Sequence, residues 1–218
     1  MVPIAPAPAG ASGGESVVPD SYFDRFSTPK YRSRNPLQRV LIRRFVDRVH
    51  DLFHQAEPVK SVLEVGVGEG FLSGYLSEIM PDIRFTGVDL DPDDLRLLQD
   101  KFSRIEAHQG SAYDLSFLSG PFDLVICAEI LEHLETPERA LDEVLQFAPA
   151  HVLLTVPHEP WFRLSNLLRG KNISRLGNDI EHVNQWGPRS FRKLLESRFD
   201  IRQMTTSYPW LLTLLAPK

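Results

Sequence analysis

The residues with the clearest chemical potential lie in one short segment, Glu129-Ile130-Leu131-Glu132-His133. Its two carboxylates and its imidazole stand at positions i, i+3 and i+4, so a helical turn here would place all three side chains on one face. Carboxylate oxygens and an imidazole nitrogen can together bind a hard or borderline divalent cation. His133 can also act alone as a proton acceptor. The segment therefore predicts either a metal site or a general base.

A glycine cluster follows a short apolar run in Ser61–Gly74, which predicts a strand, a tight turn and the start of a helix. Gly66, Gly68 and Gly70 alternate in the turn, where missing β-carbons tolerate positive φ and let backbone N–H groups approach a ligand. A dinucleotide fingerprint would need a further glycine where this chain has Phe71. This departure weakens the hypothesis of a nicotinamide-dependent oxidoreductase.

A second β-type run, Arg84–Leu90, carries Asp89 near its end, about twenty residues after the glycines, where nucleotide-binding α/β folds place the carboxylate that holds ribose hydroxyls. Asp91 directly precedes a proline and is the better candidate for capping the next helix. The order of the two motifs favours a nucleotide site over a glycine turn that only reverses the chain.

The elements that must position these residues are short β-type runs that alternate with helical patterns from Ser61 onward. This alternation predicts a parallel sheet wound on both faces. Asn35-Pro36 predicts the start of an earlier amphipathic helix that packs on the sheet. The predicted strands are 61–66, 84–89, 104–108, 122–127 and 151–156, and the predicted helices between them are Phe71–Met80, Pro92–Lys101 and Pro137–Phe147.

The glycine motif followed by Asp89 resembles the nucleotide-binding motif of class I S-adenosylmethionine-dependent methyltransferases. The resemblance extends from about residue 35 to the end of the chain, because Arg198–Thr205 and Trp210–Leu215 resemble the antiparallel hairpin that closes the sheet of that family. It implies a doubly wound, Rossmann-like α/β fold whose seven-stranded sheet is mostly parallel, and S-adenosyl-L-methionine as the cofactor. The implied cofactor-binding residues are Glu64, Gly66, Gly68, Gly70, Asp89, Leu90, Ser111, Ala112 and Glu129.

Ser111 departs from the family pattern, since members often carry an acidic residue there. Recognition of adenine would then use the Ser111 hydroxyl or backbone N–H groups. An ordinary turn after the third strand is the alternative interpretation of this segment.

The segment around His133 is similar to two groups of the family, the ubiquinone-pathway O-methyltransferases and the small-RNA terminal 2′-O-methyltransferases. In the RNA enzymes, a Glu-x-x-Glu-His segment and a later histidine hold a metal against substrate hydroxyls. His182, followed by Trp186 and Phe191, resembles that later stretch. The implied ligands of a divalent ion such as Mg²⁺ or Mn²⁺ are Glu129, Glu132, His133 and His182, and the candidate catalytic residues are His133, Glu129 and, as a second-choice base, His158.

An insertion at about 157–187 follows the fifth predicted strand and is too long for a simple connection. Insertions at this place in the fold usually cover the substrate. Its apolar stripe with basic flanks is suited to a lipid-like or anionic acceptor or to peripheral contact with a membrane, although a lid that packs its own apolar face inward is the simpler alternative. The predicted substrate-lid residues are Tyr31, Trp161, Phe162 and Trp186.

Composition limits the remaining possibilities. The 218 residues, of which 42% are hydrophobic, predict a single domain over 21–218 after a disordered leader at 1–20 that is rich in Ala, Pro, Gly and Ser. A net charge of −5 argues against a surface that coats nucleic acid. No run approaches the roughly 18 apolar residues of a membrane span. The single cysteine, Cys127, is expected to be buried, consistent with a cytoplasmic location.

These features lead to one principal hypothesis and two alternatives. The principal hypothesis is an S-adenosylmethionine-dependent methyltransferase that acts on a hydroxyl of a small-molecule or lipid-linked acceptor. A metal-dependent RNA terminal 2′-O-methyltransferase is the alternative within the class, disfavoured by the acidic net charge and by the lack of a separate RNA-binding module. A non-catalytic methyltransferase-like binding subunit is the alternative from another class, because a fold alone does not establish activity.

Overall fold

The computed structural model describes residues 18–168 and 182–218. Its strands are β1 (Ser61–Val65), β2 (Arg84–Asp89), β3 (Ile105–Gln109), β4 (Leu124–Ala128), β5 (His151–Pro157), β6 (Phe199–Ser207) and β7 (Trp210–Pro217). The helices in these residues are α1 (Asp20–Phe23), α2 (Pro29–Arg32), α3 (Pro36–Gln55), α4 (Phe71–Ile79), α5 (Pro92–Lys101), α6 (Pro137–Leu145), α7 (Trp161–Leu168) and α8 (Pro188–Leu195).

The strands form one seven-stranded sheet in the order β3-β2-β1-β4-β5-β7-β6. Strands β1 to β5 run parallel, and β7 pairs antiparallel with both β5 and β6. This topology confirms the predicted α/β fold class, including the C-terminal antiparallel hairpin. Strand β4 begins at Leu124, later than predicted, and the carboxylate of the preceding Asp123 accepts hydrogen bonds from the backbone N–H groups of Lys60 (2.8 Å) and Ser61 (2.9 Å).

Both faces of the sheet are covered, as a parallel sheet requires. Alternation along β1 sends Val62 into one apolar cluster, which contains Phe53 of α3. It sends Leu63 into the other, which contains Leu141 of α6 and Phe191 of α8. The sheet is therefore held rigidly between two cores, and its carboxyl edge is left to bind ligands.

Helix α3 begins where the sequence predicts, because the Asn35 side chain accepts a hydrogen bond from the backbone N–H of Leu37 (2.9 Å) and proline follows at the first position. Phe45 of this helix contacts Trp210 at the start of β7, with ring centroids 5.0 Å apart. None of the helices in residues 18–168 and 182–218 has the length and apolar character that crossing a bilayer requires.

The predicted disordered leader overlaps the described structure at its end. Val18 is buried, and its carbonyl accepts a hydrogen bond from Arg43 Nε (2.9 Å). Asp20 begins α1 and accepts from Arg39 (2.7 Å) and Arg43 (2.5 Å) on α3. The expectation of disorder is therefore wrong for these last residues of the leader, whereas residues 1–17 lie outside the described part.

The insertion after β5 divides between surface and core. Trp161 at the start of α7 is 47% exposed, whereas Trp186 is 8% exposed and packs against Phe191 with ring centroids 5.5 Å apart. Trp186 also pairs with His158 in an isolated parallel bridge at the end of β5. The prediction that Trp186 belongs to a substrate lid is therefore wrong, because its ring completes the core. Residues 169–181 of the insertion lie outside the described residues.

We expect Trp186→Ala to lower the free energy of unfolding by about 3–5 kcal/mol, because it leaves a cavity in a packed core. Trp161→Ala is the matched control on the exposed side and should change it by no more than about 0.5 kcal/mol. Denaturant unfolding of the two variants measures both values. Equal losses would contradict the division of the insertion between surface and core.

Candidate active site

The glycine turn between β1 and α4 adopts the left-handed conformation that its sequence predicts. The φ angles are 79° at Gly66, 51° at Gly68 and 81° at Gly70, values that suit glycine. A β-carbon on Gly66 would lie only 2.0 Å from Cγ2 of Ile130, which follows β4. The turn therefore approaches the exit of β4 so closely that no side chain fits between them.

Asp89 ends β2 beside this turn. Its Oδ2 accepts a hydrogen bond from the backbone N–H of Gly68 (2.7 Å), and its Oδ1 accepts from the N–H of Asp91 (3.1 Å). Asp91 caps α5, as predicted, by accepting from the N–H of Asp93 (2.9 Å). Asp89 thus joins the glycine turn to β2, while Asp91 serves the helix.

A cavity of about 180 Å³ opens at the carboxyl edge of the sheet between the exits of β1, β2, β3 and β4. Asp89 and Leu90 form one wall, Ala112 lies beyond β3, and Gly66 and His133 line the side near β4. The cavity thus brings several of the predicted cofactor residues together with the candidate base.

Ser111, the other residue predicted near adenine, directs its hydroxyl to the chain itself. Its Oγ accepts a hydrogen bond from the backbone N–H of Tyr113 (3.1 Å), and its carbonyl accepts from the N–H of Asp114 (3.0 Å). The structure therefore places Ser111 in the turn after β3, where it holds the backbone that carries Ala112.

Glu64 supports the glycine turn from inside the sheet. The residue is 3% exposed, and its carboxylate accepts hydrogen bonds from the backbone N–H of Ser73 (3.0 Å) and from the Ser73 hydroxyl. Burial raises the pKa of Glu64 to about 7, against the opposing effect of the Ser73 hydrogen bonds. Glu64 therefore ties β1 to α4 beneath the turn.

The segment after β4 differs from the predicted helical turn. Glu129 has a φ of 60°, a strained left-handed conformation for a residue with a side chain, and only Leu131–His133 form a short 3₁₀ turn. This backbone reversal directs the Glu129 carboxylate to Trp210, whose indole N–H donates to Oε2 at 2.5 Å. The Thr155 hydroxyl approaches Oε1 at 3.4 Å. Glu129 consequently does not share a helical face with Glu132 and His133.

Three of the four predicted metal ligands nevertheless come together. Glu132, His133 and His182 each offer one ligand atom, and these atoms lie within 4.8 Å of one another. Glu132 is 1% exposed, and its Oε2 atom has no hydrogen-bond partner among the described residues. Burial, reinforced by the negative charge of Glu129, raises the pKa of Glu132 well above its usual range. A buried oxygen without a partner suits either a proton or a cation.

His182 reaches this cluster through backbone contacts. The N–H groups of Val183 and Asn184 both donate to the carbonyl of Glu132, at 2.8 and 3.0 Å. The Asn184 side chain donates to the carbonyl of Leu134 at 2.6 Å. These bonds fix the later histidine against the exit of β4, so the fold-back that the resemblance implies for His182 is present.

Residues 18–34, here called the N-terminal strap, cross the glycine turn and are anchored to it by Glu69. This carboxylate accepts from the backbone N–H groups of Ser27 (2.9 Å) and Thr28 (2.8 Å), from both of their hydroxyls, and from Lys101 Nζ (2.6 Å). Burial acts to raise the pKa of Glu69, but these bonds outweigh it and lower the pKa to about 2. The sequence analysis missed Glu69, for which the available signal was an acidic residue between two glycines of the turn.

The strap carries Tyr31 and Lys30 to the reaction side. The Tyr31 ring stacks on Phe71 at the start of α4, with centroids 3.8 Å apart and planes 4° from parallel. Lys30 Nζ lies 3.8 Å from Glu129 Oε2 and 5.2 Å from the ring centroid of Trp210. Tyr31, a predicted lid residue, thus lies at the glycine turn, and Lys30 is a second residue that the sequence analysis missed.

The remaining predicted residues lie at the β5 side of the cluster. Phe162 of α7 has its ring 5.2 Å from that of His182. His158 follows β5, and partial burial lowers the pKa of its imidazole, which favours the neutral form that accepts a proton. Helix α7 therefore contacts the Glu132–His133–His182 cluster through Phe162.

A family model described as a methyltransferase domain matches residues 62–148. This stretch contains the glycine turn, Asp89 and the exit of β4. The chain contains a class I methyltransferase domain. Its sheet order and C-terminal hairpin agree with that assignment.

Two solved structures have the same fold. Magnesium protoporphyrin IX methyltransferase from Synechocystis PCC 6803, solved with SAH bound, matches with a TM-score of 0.68 and 22% identity, over 91% of this chain and 95% of that one. The methyltransferase domain of a bacterial Hen1 protein matches with a TM-score of 0.62 and 21% identity, over 81% of this chain and 99% of that one.

Among curated relatives, the ubiquinone biosynthesis O-methyltransferase of Psychrobacter cryohalolentis is 30% identical over 132 residues, which cover 54% of this chain and 49% of that protein. The first curated relatives that the chain matches are covered over 24%, 28% and 49% of their own lengths. The similarity thus concerns the methyltransferase domain and about half or less of each relative.

The pKa of Glu64 predicts a specific dependence of stability on pH. A folded-state value of about 7 lies above the ordinary value of 4.5, so the folded protein binds the proton more tightly and stability falls as pH rises from about 4.5 to 7. Glu64→Gln should remove this fall. The difference in the free energy of unfolding between this variant and wild type should therefore change by about 3 kcal/mol between pH 4.5 and pH 8. Denaturant unfolding at the two pH values measures the shift.

A pH-independent difference between Glu64→Gln and wild type would contradict the raised pKa.

Proposed function

We propose that the protein transfers the methyl group of S-adenosyl-L-methionine to a hydroxyl oxygen of a small-molecule or lipid-linked acceptor. The observation that carries the proposal is the hydrogen bond between Asp89 and the N–H of Gly68 beside a cavity that extends to His133. One cavity can thereby hold a nucleoside at one end and a reacting group at the other. The methyltransferase domain match and the fold shared with a methyltransferase solved with SAH support the cofactor.

The order of the strands suggests how the cofactor is oriented along the carboxyl edge of the sheet. We assign the ribose hydroxyls to Asp89 at the end of β2 and the adenine ring to the space beside Leu90 and Ala112, toward β3. Because β1 and β4 lie on the other side of β2, the sulfonium and the amino-acid end then extend past Gly66 toward Glu129. This direction presents the methyl group to the side where His133 and the strap meet.

Methyl transfer requires the chain to position the acceptor and to receive one proton. The hydroxyl oxygen forms a bond to the methyl carbon while the carbon–sulfur bond breaks, and the electron pair of that bond remains on sulfur to give S-adenosylhomocysteine. We assign the hydroxyl proton to the imidazole of His133, which lines the cavity and lies 4.0 Å from the Glu132 carboxylate. His158 remains the second-choice base. The name of the Psychrobacter relative supports oxygen as the methylated atom.

We expect Asp89→Ala to weaken S-adenosylmethionine binding by about 1–3 kcal/mol, the cost of leaving buried hydrogen-bonding groups without a charged partner. Isothermal titration calorimetry measures the affinity. Asp91→Ala is the matched control, because that carboxylate caps α5 and should affect stability more than affinity. Equal affinities of wild type and Asp89→Ala would remove Asp89 from the ribose role.

A metal-dependent reaction is a second candidate, favoured by the convergence of Glu132, His133 and His182. Two imidazoles and one carboxylate suit a borderline divalent ion, and the partnerless Glu132 Oε2 fits a ligand role. The residues present therefore fit a three-ligand site, with Glu129 committed to Trp210. When bound there, a cation would supply Lewis acidity to a substrate hydroxyl. An RNA 2′-hydroxyl is the acceptor of this second candidate, against which the net charge of −5 argues.

If the cluster binds metal, His133→Ala and His182→Ala should each weaken Mn²⁺ binding by about 10–100-fold. Glu135→Gln is the control and should change it little, since this exposed carboxylate is not part of the cluster. Calorimetric titration of the chelator-treated protein measures the affinities. A screen of S-adenosylhomocysteine release over hydroxylated metabolites, lipid-linked compounds and short RNAs, with and without chelator, measures turnover. Activity that persists in chelator, with His182→Ala nearly silent, would leave His133 as the base without metal.

A further inference from the structure

The carboxyl edge of the sheet is rich in acidic side chains. Glu64 lies beneath the glycine turn, Asp89 and Glu69 lie at the turn itself, and Glu129 and Glu132 follow β4. Such an edge suits the cationic sulfonium and ammonium groups of S-adenosylmethionine. The same cofactor also carries a carboxylate, which these residues would repel and which a nearby cation would attract.

Two lysines approach these acids in residues 18–168 and 182–218. Lys101 Nζ donates to Glu69 at 2.6 Å and is committed to anchoring the strap. Lys30 lies 3.8 Å from Glu129, beyond the length of a good hydrogen bond, and its side chain is 36% exposed. Its ammonium group therefore retains donors for a second anion while the charge of Glu129 holds it at the edge.

The position of Lys30 is fixed from both sides along the chain. Glu69 holds Ser27 and Thr28 immediately before α2, and Tyr31 stacks on Phe71 immediately after Lys30. Glu69 and Phe71 flank Gly70, the last glycine of the turn. The glycine turn therefore also fixes the location of the Lys30 ammonium group. A cation held in this way has lost much of its conformational entropy before a ligand binds.

We propose that Lys30 binds the carboxylate at the amino-acid end of S-adenosylmethionine, opposite the adenine side of the cavity. The proposal rests on the proposed function and on its direction for the cofactor. With ribose at β2 and adenine toward β3, the amino-acid end passes β1 toward β4, where Lys30 faces Glu129. Lys30 and Glu129 then offer opposite charges to the carboxylate and the ammonium of one amino acid, which fixes the orientation of that end.

The proposal is tested by removing the charge on each partner separately. Wild type, Lys30→Met and Lys30→Arg are titrated calorimetrically with S-adenosylmethionine and with its decarboxylated analogue, which lacks only the carboxylate. We expect Lys30→Met to weaken S-adenosylmethionine binding by about 10-fold or more, the scale of losing a charged hydrogen bond. The decarboxylated analogue should bind wild type and Lys30→Met with affinities within about 3-fold of each other, and Lys30→Arg should retain most of the affinity for S-adenosylmethionine.

Arg32→Met is the matched control, because Arg32 is an exposed cation on the same short helix. It should leave both affinities unchanged, and the thermal midpoint of each variant checks that the strap remains folded. Equal weakening of both ligands by Lys30→Met would overturn the proposal and make Lys30 a structural partner of Glu129. Unchanged cofactor affinity with a raised acceptor KM would also overturn it and move Lys30 to the acceptor side. Failure of wild type to bind S-adenosylmethionine would instead contradict the proposed function.

Discussion

The site depends on the narrow gap between the glycine turn and the exit of β4. A β-carbon on Gly66 would meet Ile130 at 2.0 Å, so only glycine fits at that position, and the φ of 79° there is one that glycine adopts readily. That geometry points the N–H of Gly68 at Asp89 and places Glu69 where it can hold the strap. The contact between Asp89 and the turn, the anchor of the strap and one wall of the cavity are thus consequences of one backbone reversal.

Buried carboxylates at this edge are stabilised in three physically different ways. Glu69 stays ionised with a pKa of about 2, because five N–H and O–H groups from Ser27, Thr28 and Lys101 outweigh its burial. Among the described residues, Glu64 receives hydrogen bonds from Ser73, and burial raises its pKa to about 7. Glu132 retains an oxygen without a hydrogen-bond partner among the described residues, and burial raises its pKa well above the usual range. The number of donors therefore separates a structural anchor from a group that can exchange a proton or bind a cation at the reacting side.

The sequence predicted what local chemistry determines. The positions of the parallel strands, the Asn35 cap and the tolerance of positive φ at the glycines follow from short-range patterns, and all are present. The sequence analysis did not predict several contacts between residues that are distant in the chain. Glu69 meets partners 32 to 42 positions away, and Trp186 is buried against Phe191 although its motif suggested a lid. Glu129 adopts a left-handed conformation where a helical turn was expected, and its carboxylate accepts a hydrogen bond from the indole N–H of Trp210, 81 residues later.

The topology explains why such distant segments meet at one edge. Parallel strands send all their carboxyl ends to the same side, so the loops after β1, β2, β4 and β5 converge there. The strap closes this edge over the glycine turn, and the segment from His182 to Asn184 closes it from the β5 side through the Glu132 carbonyl. Lys30 and Phe162 therefore approach the exit of β4 from opposite directions. Residues far apart in the sequence, from Lys30 on the strap to His182 before α8, therefore meet beside the end of one strand.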